Sequence, residues 1–129
     1  MTPDNTLMVR LFRDKSGSTC VNISVSIDPE NGDLVWEGYD IGDFVEKYWG
    51  DSDYEYWLLI KSTFKQAVLS ALIRDREREG KPLEKTTASN DELLLRLISE
   101  KYSNDPGAFT KFWNWCKELG IPAEFSSYA

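Results

Sequence analysis

Histidine is missing from this 129-residue chain, and only two cysteines, Cys20 and Cys116, are present. Without histidine the chain cannot form a Ser-His-Asp triad or an imidazole metal site, and two distant cysteines cannot build a cysteine zinc site. The two thiols could pair. Because we expect the protein to be cytoplasmic, where thiols stay reduced, we predict two buried free cysteines instead.

Long apolar runs are also missing: no stretch reaches the roughly 18–20 residues that a bilayer span requires. The first six residues are polar and acidic, which is not the pattern of a secretory signal. With 41% hydrophobic and 29% charged residues, the composition is typical of a globular protein. The length fits a single domain over residues 1–129.

Basic residues are scarce in one part of the chain, residues 30–57, which we call the acidic aromatic segment. It contains nine acidic residues and one base, Lys47, a net charge of −8, whereas the remainder has 14 bases and 13 acids. Eight aromatic residues are interleaved with these acids. The overall charge of −7 argues against binding to nucleic acid or to an anionic membrane surface. It favours a basic partner or a cation.

The first part of the chain has the pattern of an antiparallel meander. Residues 21–27 alternate apolar and polar side chains, which predicts a strand, and further strands are predicted over residues 7–13, 34–39 and 54–60. Asn31-Gly32 predicts a hairpin turn between the second and third strands. In the fourth, Trp57 and Leu59 lie on the face opposite Tyr56.

Helical periodicity replaces the alternation after these strands. Capping boxes at Thr63/Gln66 and Ser89/Glu92 predict two helix starts, and Asp105 with Pro106 at the first position predicts a third. A shorter helix is predicted to follow Gly42 and to end at Gly50, and residues 124–128 are predicted to form a short extended tail. The expected fold is α+β, with an antiparallel sheet of about four strands and three main helices packed on one face.

Two further details of the helical part are predicted. The alternating charges of residues 74–79 indicate a solvated helix end. Trp113 is expected in the core, and Trp115 is expected to be exposed or covered by the C-terminal tail.

The acidic aromatic segment predicts a binding surface. Aromatic side chains supply large, stiff contact areas, and carboxylates attract a basic partner. The predicted binding residues are Asp40, Asp43, Asp51, Asp53, Tyr54, Glu55 and Trp57. The alternative is that the aromatic residues, Phe44, Tyr54 and Tyr56 above all, belong to the core and the acids form a solvated edge.

Carboxylates also allow a metal-dependent or catalytic interpretation. Asp40, Asp43, Asp51 and Asp53 could coordinate Mg²⁺ or Ca²⁺, although their spacing is not that of an EF-hand. Asp53 and Glu55 could serve as an acid–base pair. Asp40 and Asp43 are equally explained as residues that favour the start of a helix. No catalytic residue, metal ligand or cofactor is predicted.

The run Gly38-Tyr39-Asp40-Ile41-Gly42, followed by residues 48–57 (YWGDSDYEYW), resembles a family of small, mostly uncharacterised bacterial proteins. The likeness extends to residues 121–125 after the last helix. This resemblance implies no activity. In size and acidity such proteins are similar to immunity proteins that block bacterial toxins.

The sequence therefore favours a non-enzymatic, cytoplasmic binding protein whose acidic aromatic surface docks a basic protein, such as a toxin nuclease. A carboxylate-based metal-dependent enzyme or metal-binding domain is the alternative. A homodimer that pairs through the aromatic residues is a third hypothesis.

Overall fold

The computed structural model describes residues 7–16, 19–41, 53–81 and 89–128. Its strands form one antiparallel sheet in which the spatial order equals the chain order. The strands are β1 (Leu7–Ser16), β2 (Thr19–Ile27), β3 (Leu34–Ile41), β4 (Asp53–Ile60) and β5 (Glu124–Tyr128). The sheet has five strands rather than four because the C-terminal tail pairs with β4 along its free edge.

Three helices are found in the described part of the chain: α1 (Lys65–Arg78), α2 (Asn90–Tyr102) and α3 (Ala108–Leu119). They pack on one face of the sheet, so the predicted α+β architecture is confirmed. The buried residues of strands and helices form one core. Its centre is Trp36, which is stacked on Phe112 at 4.4 Å between ring centroids and meets Tyr102 edge-on at 5.6 Å. The helix predicted over residues 42–50 lies outside the described residues.

The β2–β3 hairpin turn forms as Asn31-Gly32 predicts. Gly32 has a φ of 78°, and the turn is closed by the Asp28 amide, which donates to the Asp33 carbonyl at 2.9 Å. The Asp33 carboxylate accepts a further hydrogen bond from the Ser62 amide at 2.8 Å. It thereby joins the turn to the start of the 3₁₀ turn Ser62–Phe64 that leads into α1.

The helix starts agree with the sequence only in part. Ser89 caps α2 by accepting from the Glu92 amide at 3.2 Å, as predicted. The Thr63 capping box is wrong, because α1 follows a 3₁₀ turn and has no side-chain cap. α3 begins at Ala108, two residues after the predicted position, and Asp105 holds the preceding turn through the Gly107 amide at 2.8 Å.

Both cysteines are free, in agreement with the prediction. Cys116 lies in the core with no exposed surface, whereas Cys20 on β2 is only half-buried. Burial raises the pKa of the Cys116 thiol to about 12. Because the thiolate is the reactive form, Cys116 is a packing residue.

The last turn of α1 is less solvated than the sequence suggests. Asp75 accepts from the Trp115 indole at 3.1 Å and from Lys101 at 3.4 Å, and Arg76 pairs with Glu100. Trp115 is half-buried, and it contacts Asp75 of α1 and Lys101 of α2. The C-terminal strand covers the other tryptophan of α3, Trp113.

Candidate binding surface

The register between β3 and β4 places acidic and aromatic residues side by side. Glu37 lies opposite Trp57, and Tyr39 lies opposite Glu55. Successive side chains of a strand point to opposite faces of the sheet. Since Trp36 and Leu58 are buried against the helices, these four residues lie on the other face. We call Glu37, Tyr39, Glu55 and Trp57 the sheet patch.

Acidic and aromatic residues alternate within the sheet patch, both along each strand and across the two strands. Along β3 the order is Glu37 then Tyr39, and along β4 it is Glu55 then Trp57, so each carboxylate has an aromatic neighbour along its strand and another across it. The Trp57 indole donates to the Glu37 carboxylate at 3.3 Å. Glu37 is exposed and the other three side chains are half-buried.

The neighbouring edge strand extends this surface. β5 places Ser126 beside Trp57 and Tyr128 beside Glu55. Tyr128 is 72% exposed, which adds a large accessible ring to the same row. Aromatic rings next to carboxylates suit a guanidinium or ammonium group, because the ring faces and the acids both attract a cation.

The carboxylates of the sheet patch differ in pairing from several acids of the helical layer. Asp75, Asp91, Glu100 and Asp105 each lie within 4 Å of a lysine or arginine nitrogen. Among the described residues, no base lies within that distance of Glu37 or Glu55. The negative charge of the sheet patch is therefore not neutralised by an ion pair from the described part of the chain.

Basic residues on this face lie towards the opposite side of the sheet. Arg10 and Arg13 of β1 pair in register with Ser24 and Asn22 of β2. Arg10 lines a shallow recess of about 210 Å³ with Met8, Asn22, Ser24, Glu37 and Tyr39. The face is thus basic along β1 and acidic along β3 and β4.

Asp40 lies on the helical side of the sheet, away from the sheet patch. Its carboxylate accepts from the Tyr56 hydroxyl at 3.3 Å, and Tyr54, its partner in register, lies beside Tyr56 with ring centroids 5.5 Å apart. Burial raises the pKa of the Asp40 carboxyl, while the hydrogen bond from Tyr56 opposes this shift. Burial, followed by the charge of Asp40, raises the pKa of Tyr56.

The described residues that the sequence predicted for binding lie on both faces of the sheet. Glu55 and Trp57 lie in the sheet patch, whereas Asp40 and Tyr54 lie on the helical side. The backbone of Asp53 pairs with Ile41. Asp43 and Asp51 lie outside the described residues, as do Phe44 and the other aromatic residues of the predicted short helix.

Sequence reasoning missed Glu37 and Tyr39 as partners of Glu55 and Trp57. Strand alternation around the apolar Trp36 would have placed both on one face. The cross-strand neighbours depend on the β3–β4 register, and the eleven residues that connect these strands do not specify it as a two-residue hairpin turn would.

The described residues contain no group of three or more acids or cysteines placed to hold a metal ion. Asp43 and Asp51 of the predicted set of four aspartates lie outside these residues. A cleft of about 570 Å³ between α1 and α2 is lined by Asp75, Arg76, Glu100 and Lys101. These charges pair with one another across the cleft.

The chain has no significant match to any protein-family model, to any curated protein or to any solved structure. The family resemblance noted in the sequence therefore gains no support. None of the helices in the described ranges is long and apolar enough to cross a membrane.

Proposed function

We propose that this chain is a non-enzymatic, cytoplasmic binding protein that docks a basic protein partner through the sheet patch and the adjoining part of β5. The observation that carries the proposal is the pairing of Glu37 with Trp57 and of Tyr39 with Glu55 on the sheet face opposite the three described helices. A toxin nuclease blocked by an immunity-like protein is one such pair.

Electrostatics supports a cationic partner. Carboxylates that lack an ion-pair partner repel one another, and an arriving lysine or arginine relieves that repulsion. The unpaired state of Glu37 and Glu55 contrasts with the paired acids of the helical layer. Steering of this type accelerates association and weakens as salt is added.

The aromatic residues supply contact area that does not depend on charge. Trp57 and Tyr39 are half-buried on a sheet, so little conformational freedom is lost when a partner covers them. Tryptophan and tyrosine are enriched among residues that dominate binding energies at interfaces. We expect rings to hold the partner and carboxylates to orient it.

Calorimetry with a panel of purified basic bacterial nucleases tests this proposal. We expect binding that weakens by about tenfold or more between 50 and 300 mM salt, because several charge contacts are screened. Replacing both patch acids, Glu37→Gln and Glu55→Gln, should weaken binding by about tenfold at low salt.

Matched controls separate the sheet patch from general acidity. Glu77→Gln with Glu79→Gln removes the same charge from exposed positions near the end of α1 and should leave the affinity within about twofold. If both double variants weaken binding equally, or if no nuclease binds in a salt-sensitive way, the proposal is wrong.

A further inference from the structure

The sheet has two edges, and they differ in their capacity to accept another strand. β1 forms one edge and β5 the other. The register of β1 shifts between Arg10 and Phe12, which marks a bulge, and the Leu11 carbonyl is occupied by the Asn104 amide at 2.8 Å. Bulges and covering loops prevent edge-to-edge pairing, so the β1 edge is interrupted.

In the part of the chain that the structure describes, β5 has none of these interruptions. Its five residues pair with β4 in an unbroken register from Leu59–Glu124 to Glu55–Tyr128, and every side chain of β5 is exposed. The sequence EFSSY contains no lysine and no proline, the residues that commonly protect an edge. No strand of the described part of the chain pairs with its outer side.

β5 is also held in place before any partner arrives. The Phe125 ring stacks on Trp113 at 4.7 Å with planes 10° apart, and it meets Phe109 at 6.1 Å. Lys117 lies 4.3 Å from the centroid of the Trp113 ring. These contacts fix the strand against α3. A fixed edge costs less conformational entropy on binding than a disordered one.

We infer that the outer edge of β5 accepts an extended basic segment of the partner as a sixth strand. This inference rests on the proposed function and states how the partner is recognised. Backbone hydrogen bonds would supply the pairing, and alternate side chains of the added strand would lie on the same face as Glu124, Ser126 and Tyr128. Basic residues at those positions would lie on the same sheet face as Glu55 and the sheet patch, with β5 between them and β4.

Charge decides between a foreign segment and a second copy of this chain. Pairing β5 with its own copy would join two faces that both carry Glu37, Glu55 and Glu124, so acids would be added to acids. A strand with lysine or arginine at alternate positions brings the opposite charge to the same face. The occupant is therefore a basic extended segment.

Two blocked decapeptides of equal charge test this inference: alternating Thr–Arg, and the same sequence with a methyl group on every backbone nitrogen. N-methylation removes every amide donor that strand pairing needs but keeps the charge. We expect the unmethylated peptide to bind about ten times more tightly. We also expect it to slow hydrogen exchange at the amides of β5, which docking by charge alone would not do.

Proline variants of the protein locate the edge. Successive residues of an antiparallel strand direct their amides to opposite sides, so only one of Ser126 and Ser127 points away from β4. We therefore compare Ser126→Pro with Ser127→Pro. The variant whose proline replaces the outward-pointing amide should keep the melting temperature of the parent and bind both peptides with equal affinity. The corresponding alanine variants should retain the preference for the unmethylated peptide.

The outcomes separate this inference from the proposed function. Equal, salt-sensitive binding of both peptides without protection of β5 would overturn strand addition and leave docking by the sheet patch intact. Failure of both peptides to bind would also overturn strand addition, while the nuclease panel decides the proposed function independently. Self-association of the protein without peptide, measured as an increased molar mass, would indicate that a second copy occupies this edge and would overturn the inference.

Discussion

Gly38 is a position of β3 at which a side chain cannot be accommodated. A Cβ atom built there would lie 1.9 Å from Cε2 of Tyr56, the residue opposite in register. The tyrosine ring covers the glycine and thereby brings its hydroxyl to Asp40 at 3.3 Å. Aromatic residues across from a strand glycine supply the packing that the glycine lacks.

Gly38→Ala should therefore destabilise the fold by about 1–3 kcal/mol, the usual cost of overpacking. Urea denaturation checks this value. The matched double variant, Gly38→Ala with Tyr56→Ala, removes the obstructing ring, so the added methyl should cost little beyond Tyr56→Ala alone. Full additivity of the two substitutions would contradict the contact.

Asp40 gives the stability a dependence on pH. Burial raises its pKa above the ordinary value of 3.8, so folding disfavours the charged form. For a group of this kind, the stabilising contribution is complete below the unfolded pKa and is lost as the pH rises through the folded pKa.

Asp40→Asn keeps an oxygen that can accept from Tyr56 and removes the charge. The variant should be more stable than the parent at pH 7, and this advantage should disappear at about pH 3, where Asp40 is protonated in both states. Urea midpoints at the two pH values measure the difference, with Glu77→Gln as control. An advantage of equal size at both pH values would show that the buried charge is not its cause.

The strand β5 depends on aromatic contacts more than on its own length. Five residues form a marginal strand, and Phe125 connects it to α3 through Trp113 and Phe109. Phe125→Ala should cost about 1–3 kcal/mol, from two ring contacts, and should release the β5 amides to faster hydrogen exchange. Tyr128→Ala is the control, since it truncates a ring that is 72% exposed. If both variants exchange alike, the stacking on Trp113 does not anchor the strand.

Local sequence signals predicted the secondary-structure elements better than they predicted the contacts between elements. Alternation at residues 21–27, the Asn31-Gly32 turn and the Ser89 cap depend on nearby residues and are confirmed. The Asp33 bond to Ser62 joins residues 29 positions apart, and no local pattern reports such a contact. The Thr63 capping box failed because this distant carboxylate holds the start of the 3₁₀ turn.

The site was predicted by composition, and composition does not distinguish the two faces of a strand. Asp40 and Glu37 lie three residues apart in one acidic segment, yet one faces the helices and the other the sheet patch. Only the strand parity separates them, and only the β3–β4 register adds Trp57 to Glu37. The sequence was sufficient to predict which strands are acidic. The residues of the sheet patch could be identified only from the β3–β4 register.

Charge is distributed unevenly over the molecule as a whole. Acids and bases form ion pairs across the helical layer, which Lys65–Asp91 and Lys111–Asp105 illustrate. On the other side of the sheet, carboxylates and aromatic rings alternate without such pairs among the described residues. A partner of positive charge would thus approach the sheet and not the helices.

Chemical-shift mapping tests this central claim most directly. The ¹⁵N-labelled protein is titrated with the alternating Thr–Arg decapeptide at low salt, and its backbone amides and tryptophan indoles are followed. We predict the largest shifts at Glu37, Tyr39, Glu55 and the Trp57 indole, and at the amides of the adjoining strand β5. Shifts of equal size at exposed acids of the helices, such as Glu77 and Glu118, or the largest shifts at the cleft of Asp75 and Glu100, would contradict it.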